Sequence, residues 1–375
     1  GRLHPDGRAA DAQPAALPSA SLEALLASLR GDALRALLAE ELDDPTVLDQ
    51  FRPRRVGGWQ RATGPQVIGH VLAGNTPLLS WPSFAAALLV KSASLAKLPS
   101  DDEGWPRLFH EALRAVHPGL ACCLALMQWP GGTTELDALL CAESDAVVAY
   151  GSDAALAALR ALTPLATPFH AYGHRLSLGL VLRGADKPAA AAGLARDVLL
   201  FDQQGCLSAA LVVVEGDVAE AARFGACLAA ALEQQAAAWG LGPRDPLAAA
   251  RVRSRRDTAL FAPNARVWGD PGLRWTVLLD PETTPEPAAG GCVVPLHPLS
   301  ALERLPTLLA PLRAHLQGAA LAAPPERRLE AAAALAAAGV NRICAPGALQ
   351  APPFSWHHDG RPVLAALVRW TDLEM

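Results

Sequence analysis

Residues 197–215 read DVLLFDQQGCLSAALVVVE. An apolar run ends at Phe201, a polar turn covers Asp202 to Gly205, and Cys206 stands between that turn and a second apolar run, Ala209 to Val214. Short apolar runs bounded by turn residues read here as a buried strand or helix end, an exposed elbow and a buried β-strand. Gly205 lets the backbone bend sharply or approach a ligand closely. Gln203 and Gln204 put two amides beside the thiol. A cysteine at the tip of a turn can be presented as a nucleophile, whereas one at a strand edge packs as a small hydrophobe. The spacing alone leaves both readings open.

Upstream, QVIGHVLAG (66–74) reads as a strand running into a turn, followed by Asn75, Thr76 and Pro77 and then a buried helix from Leu78 to Val90. A second strand through Leu95, Ala96 and Lys97 stops at KLPSDD, which makes a strand–loop–helix–strand unit. The run AVVAY (146–150) is a strand, and Gly151, Ser152 and Asp153 open a helix after it. The free N–H groups and dipole of such a helix start can hold an anion, and Ser152 and Asp153 are equally ordinary N-caps. FHAYGHRLSLGLVL (169–182) reads as a turn and then a strand. No G-x-G-x-x-G occurs. Before all of this, Ser21 is the expected N-cap of an N-terminal helical pair, and Arg251, Arg253, Arg255 and Arg256 read as a solvated helix face or a steering patch.

Composition narrows the classes. Hydrophobic residues make up 51% and charged residues 18% of 375, enough for a large core, and the length suggests two domains or three. A net charge of −5 argues against nucleic acid. The uncharged run from His70 to Val90 is broken by Gly74, Pro77 and Pro82, so no membrane span is expected. Seven cysteines, an odd number with no C-x-x-C pair and no signal-peptide pattern, point to a reducing cytoplasm and to no metal site.

The segment Phe201, Asp202, Gln203, Gln204, Cys206 resembles the F-(D/N)-Q-Q-x-C segment of the LuxC acyl-CoA reductases, within the aldehyde dehydrogenase superfamily. The end of the chain resembles the same family: Trp356, His357, His358, Asp359, Gly360, Arg361 and Pro362, followed by an L-V-R-W strand read over 363–370. The resemblance implies an α/β fold of aldehyde-dehydrogenase type, a doubly wound nucleotide-binding domain plus an α/β catalytic domain. The expected division is an N-terminal helical segment (1–60), a nucleotide-binding domain (61–172), a catalytic domain (173–350) and a C-terminal segment (351–375) whose strand pairs with another subunit of a homo-oligomer. The active site is expected in the crevice between the domains, at strand carboxyl ends.

By the same resemblance, Cys206 is the acylated nucleophile and Asn75 an oxyanion donor. Lys97, Ser100, Gly151 and Ser152 contact the cofactor, NADPH or alternatively NADH. Asp101 and Asp102 stand near Lys97 and would repel a 2′-phosphate. Ala171 replaces the glutamate that activates water in the dehydrogenases, which favours reduction over hydrolysis. His357 and His358 remain open between turn histidines and an acid that protonates the leaving group. The implied reaction takes a long-chain acyl-CoA to the aldehyde, with an acyl-protein synthetase as the implied partner. Two alternatives stand beside it: a CoA-acylating dehydrogenase running in the oxidative direction, and a non-reducing acyl carrier.

Overall fold

The computed structural model describes residues 19–74, 79–100, 102, 104–262, 264–279, 287 and 290–375. It divides into two units, each with its own core. One contains Leu25–His174 and Pro353–Met375; the other contains Arg175–Pro352 together with the described residues before Leu25.

The first unit starts with the helix Gly31–Leu42 and a small antiparallel pair, β1 (Arg52–Pro53) and β2 (Trp59–Thr63). Five strands follow: β3 (Val67–Val71), β4 (Ala93–Leu98), β5 (Leu124–Gln128), β6 (Ala146–Tyr150) and β7 (Phe169–Tyr172). They form one parallel sheet in the order β5-β4-β3-β6-β7. The chain winds outward from β3 to β5 and then from β6 to β7, so the order reverses between β3 and β6. That makes the sheet doubly wound. Period-two alternation on β6 shows how it is held. Ala146 and Val148 pack with Ile68, Ala86 and Val90 on one face, while Val147 and Ala149 pack with Leu140, Leu156 and Leu159 on the other. Gly69 leaves room for this layer, because a Cβ there would run into Ser144 and into Leu140 at 3.0 Å.

The second unit carries β8 (Leu176–Val181), β9 (Ala209–Glu215), β10 (Arg266–Gly269), β11 (Thr276–Leu279), β12 (Val293–Leu299), β13 (Leu316–Ala322) and β14 (Arg342–Cys344). Their order is β10-β11-β12-β9-β8-β13-β14, parallel except for β10 at the edge. Every residue of β9 is buried, as a strand covered on both faces requires. The helices Lys187–Leu199 and Val218–Ala238 pack together beside it. The chain then returns to the first unit, where β15 (Arg369–Leu373) pairs antiparallel with β2.

Three expectations need correction. Residues 169–182 hold two strands, not a turn and one strand: β7 and β8 belong to different sheets, separated at Gly173–Arg175. Ser21 lies inside the helix Ser19–Ser28 and not at the position before it. The last strand begins at Arg369, not Val363. Its early residues are diverted by Glu41, whose carboxylate accepts from the N–H groups of Val363 (2.8 Å), Leu364 (2.6 Å) and Ala365 (2.8 Å). Donors committed to a carboxylate cannot join a ladder. Among the described residues no helix is long and apolar enough to cross a membrane.

Candidate active site

The approach to Cys206 is a strained turn. The helix Lys187–Leu199 ends, and Phe201, Asp202 and Gln203 then take φ of 55°, 50° and 60°. Three successive non-glycine residues in the left-handed region cost about 1–2 kcal/mol each, so the surroundings must impose them. Gln203 supplies one anchor. Its buried side-chain amide donates to the carbonyls of Ala209 (2.8 Å) and Val293 (2.9 Å) and accepts from the Val293 N–H (3.0 Å). It therefore bridges the beginnings of β9 and β12, ahead of the first paired residues, Val212 and Leu296. This corrects the expectation that both glutamine amides lie beside the thiol.

Asp202 supplies the second anchor. Its carboxylate accepts from Arg244 (2.6 Å) and from the Cys292 thiol (3.3 Å). Arg244 is buried and also donates to the carbonyls of Leu273 (2.7 Å) and Arg274 (2.8 Å). Burial pushes the Cys292 thiol far up, so it serves as a neutral donor.

Cys206 itself is half-buried and takes part in no disulfide. Ser177 Oγ donates to its carbonyl (2.9 Å) and accepts from the Gly318 N–H (3.1 Å). The Gln350 amide donates to Ser208 Oγ (2.6 Å) and fills the space where a side chain at Gly205 would go, 2.9 Å from a Cβ built there. Gly205 is thus required for close approach. Cys206 precedes β9, so it stands at the amino ends of the parallel strands and not at their carboxyl ends. Ser177 and Gln350 escaped sequence reasoning; the faint signal for Ser177 is a lone hydroxyl in the otherwise apolar strand LSLGLV.

The other predicted site residues belong to the first unit. Lys97 lies near the carboxyl end of β4, almost buried, with Nζ 3.5 Å from Asp137 Oδ1 and 5.7 Å from the centre of the Trp129 ring. Trp129 Nε1 donates to the same carboxylate oxygen (2.9 Å). The carboxylate facing Lys97 is therefore Asp137. Asp102 pairs instead with Arg107 at 3.3 Å, while Asp101 and Asn75 lie outside the described residues. The Ser100 carbonyl accepts from Gln128 at 3.4 Å. Ser152 Oγ caps the helix Asp153–Leu162 by accepting from the Ala155 N–H (3.3 Å), and the Gly151 N–H donates to Tyr172 (3.3 Å).

At the carboxyl ends of β6 and β7, Tyr150 and Tyr172 stack with ring centres 4.9 Å apart. His358 stacks on Tyr172 at 4.3 Å and on Trp356 at 4.8 Å. Asp359 and Gly360, at φ 53° and 73°, turn the chain so that His358 bridges to Arg361. His357 is exposed. Burial raises the Tyr172 phenol, with Arg361 opposing and Asp359 and Glu41 adding to the rise.

The acyl-CoA reductase (LuxC) family model matches residues 8–370. The chain is 30% identical over 189 residues to a long-chain acyl-protein thioester reductase of Aliivibrio fischeri, covering 49% of this chain and 39% of that protein. It is 26% identical over 188 residues to the reductase of that name from Vibrio harveyi, covering 49% and 39%. The matched part of the chain therefore spans 39% of the length of each of these relatives. Among solved structures, lactaldehyde dehydrogenase of Escherichia coli superposes with a TM-score of 0.66 at 16% identity, over 96% of this chain and 87% of that one. Indole-3-acetaldehyde dehydrogenase of P. syringae, solved with NAD+, gives 0.66 at 14% identity, over 86% and 71%. Likeness at that identity speaks for the fold alone. With the aldehyde-dehydrogenase fold beneath a family pattern that runs from residue 8 to residue 370, this chain belongs to the acyl-CoA reductase (LuxC) family.

Proposed function

We propose that this chain reduces a long-chain acyl thioester to the aldehyde through an acyl-enzyme on Cys206. The observation that carries the reading is the elbow itself: a half-buried cysteine after three left-handed residues, fixed by the buried Gln203 amide and the Asp202–Arg244 pair. Strained residues of this kind cluster at active sites, ligand clamps and switch regions.

The Cys206 thiolate attacks the acyl carbonyl. The Cys206 backbone N–H holds the oxyanion, with the Asn75 amide as the second donor that family resemblance implies, and one such donor is worth ~10²–10³ in rate. The carbon–sulfur bond to the donor thiol breaks, and that thiol leaves. A reduced nicotinamide, when bound, supplies the hydride that takes the thioester carbon to the aldehyde level. Cys206 then departs as thiolate, which restores the enzyme.

The chain's own residues fit such a cofactor. The strand order of the first unit reverses between β3 and β6, where doubly wound sheets bind nucleotides. Lys97, Ser100, Gly151 and Ser152 follow or end strands at the carboxyl side of that sheet. These residues would hold it, with NADPH proposed ahead of NADH. Ala171, packed on β7 beside the core, offers no carboxylate for hydrolysis. We assign the cofactor to the first unit and the chemistry of acylation to the second.

For the donor, coenzyme A fits the name of the matching family, and the names of the curated relatives favour an acyl-protein as a second reading. A synthetase that loads such a carrier, a homo-oligomer paired through the last strand and a cytoplasmic setting belong to the same proposal.

A single-turnover assay with long-chain acyl-CoA and NADPH, on the wild type and on Cys206→Ala, tests the reading. Aldehyde and acyl-enzyme from the wild type alone support it. Turnover by Cys206→Ala refutes the nucleophile. Acylation without oxidation of NADPH or NADH turns the reading into acyl transfer, and net reduction of NADP+ by aldehyde and coenzyme A at working ratios favours the oxidative direction.

A further inference from the structure

Ser177 on β8, Gly318 on β13 and Arg342 on β14 are register partners, side by side across three parallel strands. Aligned residues of neighbouring strands point to the same face, and two strand spacings cover about 10 Å. Ser177 holds the Cys206 carbonyl at one end of this row. Gly318 in the middle has no side chain. The space above it is taken by Leu207, the neighbour of Cys206, and by Leu349, each 3.2 Å from a Cβ built there. Arg342 closes the row and is buried. Its guanidinium donates to the carbonyls of Leu349 (2.8 Å) and Ala348 (2.8 Å).

The loop 347–350 grips both ends of this arrangement. Its carbonyls fix the guanidinium, and its Gln350 amide packs on Gly205 and bonds Ser208, on either side of Cys206. The loop is held in turn by Asp197, which accepts from the N–H groups of Gly347 (2.7 Å) and Leu349 (3.0 Å).

We propose that Arg342 is a positioning residue for the acylation step: a buried cation set by loop 347–350 to stabilise the Cys206 thiolate. This rests on the reading of Cys206 as the nucleophile.

The charges that face the guanidinium support the assignment. Burial pulls the Arg342 pKa down, while the charges of Cys344, Asp197 and Cys206, and a side-chain hydrogen bond with Cys344, pull the other way. Burial pushes the Cys344 thiol up to about 11, so it is neutral at pH 7. Burial also pushes Asp197 up to about 7, against its two backbone N–H bonds and the pull of Arg342 and Arg196. Near neutrality Asp197 is only partly ionised. A nearby cation favours the ionised form of a thiol, and of these groups Cys206 is the one whose chemistry requires a negative charge.

The test is the pH profile of iodoacetamide labelling of Cys206, followed on its own peptide by mass spectrometry. The wild-type midpoint is expected below the ordinary thiol value of about 8.5. Arg342→Gln is expected to raise the midpoint by about 1 unit and to slow labelling and acylation at pH 7 roughly tenfold. Arg342→Lys, which keeps the charge, restores most of the shift. A structural role alone would leave the midpoint in place. Superimposed wild-type and Gln profiles overturn the proposal, and so does a wild-type midpoint at or above about 8.5, which needs no variant to fold. If the midpoint moves as expected but Cys206→Ala still forms aldehyde, the nucleophile reading fails and the charge coupling stands. If Cys206→Ala is inactive and the midpoint stays fixed, only the role of Arg342 fails.

Discussion

Gln203→Met isolates the anchor of the elbow, because methionine nearly keeps the length and volume of glutamine and removes the amide. Three hydrogen bonds disappear at once: two accepted by the carbonyls of Ala209 and Val293 and one donated by the Val293 N–H. Each is worth about 0.5–1.5 kcal/mol net, and about 1–3 kcal/mol where the abandoned group stays dry. Release of the left-handed run would return part of the loss, at about 1–2 kcal/mol per residue relaxed. We therefore expect unfolding of the seven-stranded unit to become easier by about 3 kcal/mol. Gln203→Glu should cost more than Met, since a carboxylate would face two carbonyl oxygens. Urea unfolding followed by the fluorescence of Trp268 and Trp275, with hydrogen exchange of the peptide that contains Val293, measures both effects. A Met variant within about 1 kcal/mol of the wild type, with Val293 protection and Cys206 labelling unchanged, would refute the anchor.

Two further outcomes follow from carboxylates that hold backbone N–H groups. Asp197 has a folded pKa of about 7, above its ordinary 3.8. The folded state holds the proton that the unfolded chain releases, so its contribution is fully present below about pH 4 and is lost as pH rises through about 7. Asp197→Asn should therefore gain on the wild type as pH increases across that window, by at most about 4 kcal/mol; a difference flat in pH by urea unfolding would refute it. Glu41→Ala strips an acceptor from three N–H groups and should cost about 2–3 kcal/mol. Loss of exchange protection at 363–365 checks this, and retained protection counts against the latch.

Local patterns that carry their own signature were legible in the sequence. The strands Val67–Val71, Ala146–Tyr150 and Ala209–Glu215 are short apolar runs between turn residues, and the helix at Asp153 announces itself through Ser152. The resemblance singled out Cys206 as the proposed nucleophile. What escaped was set by partners far along the chain. Gln203 meets Val293 90 residues away, Gly318 meets Ser177 across 141, and Glu41 meets Leu364 across 323. No window of sequence contains such a pair. Lys97 looked crowded by Asp101 and Asp102 because they are close in sequence, yet the fold gives it Asp137. Residues 169–182 read as a turn and one strand because the first strand is only Phe169–Tyr172, with His170 interrupting its apolar pattern.

The first unit is discontinuous: Pro353–Met375 returns to it after Arg175–Pro352 has been completed. Phe354 and Leu364 from that last segment are buried in the same core as Ile68 and Val148. On a ribosome this separates the two units in time. The seven-stranded sheet can close when residue 352 emerges, while the earlier unit must wait with part of its core uncovered. At about 5–20 residues per second the wait from residue 175 to the last segment is roughly 10–40 s. We predict that nascent chains stalled after residue 352 carry a protease-resistant seven-stranded unit beside a labile N-terminal half. Equal resistance of both halves would show that the closing segment is dispensable.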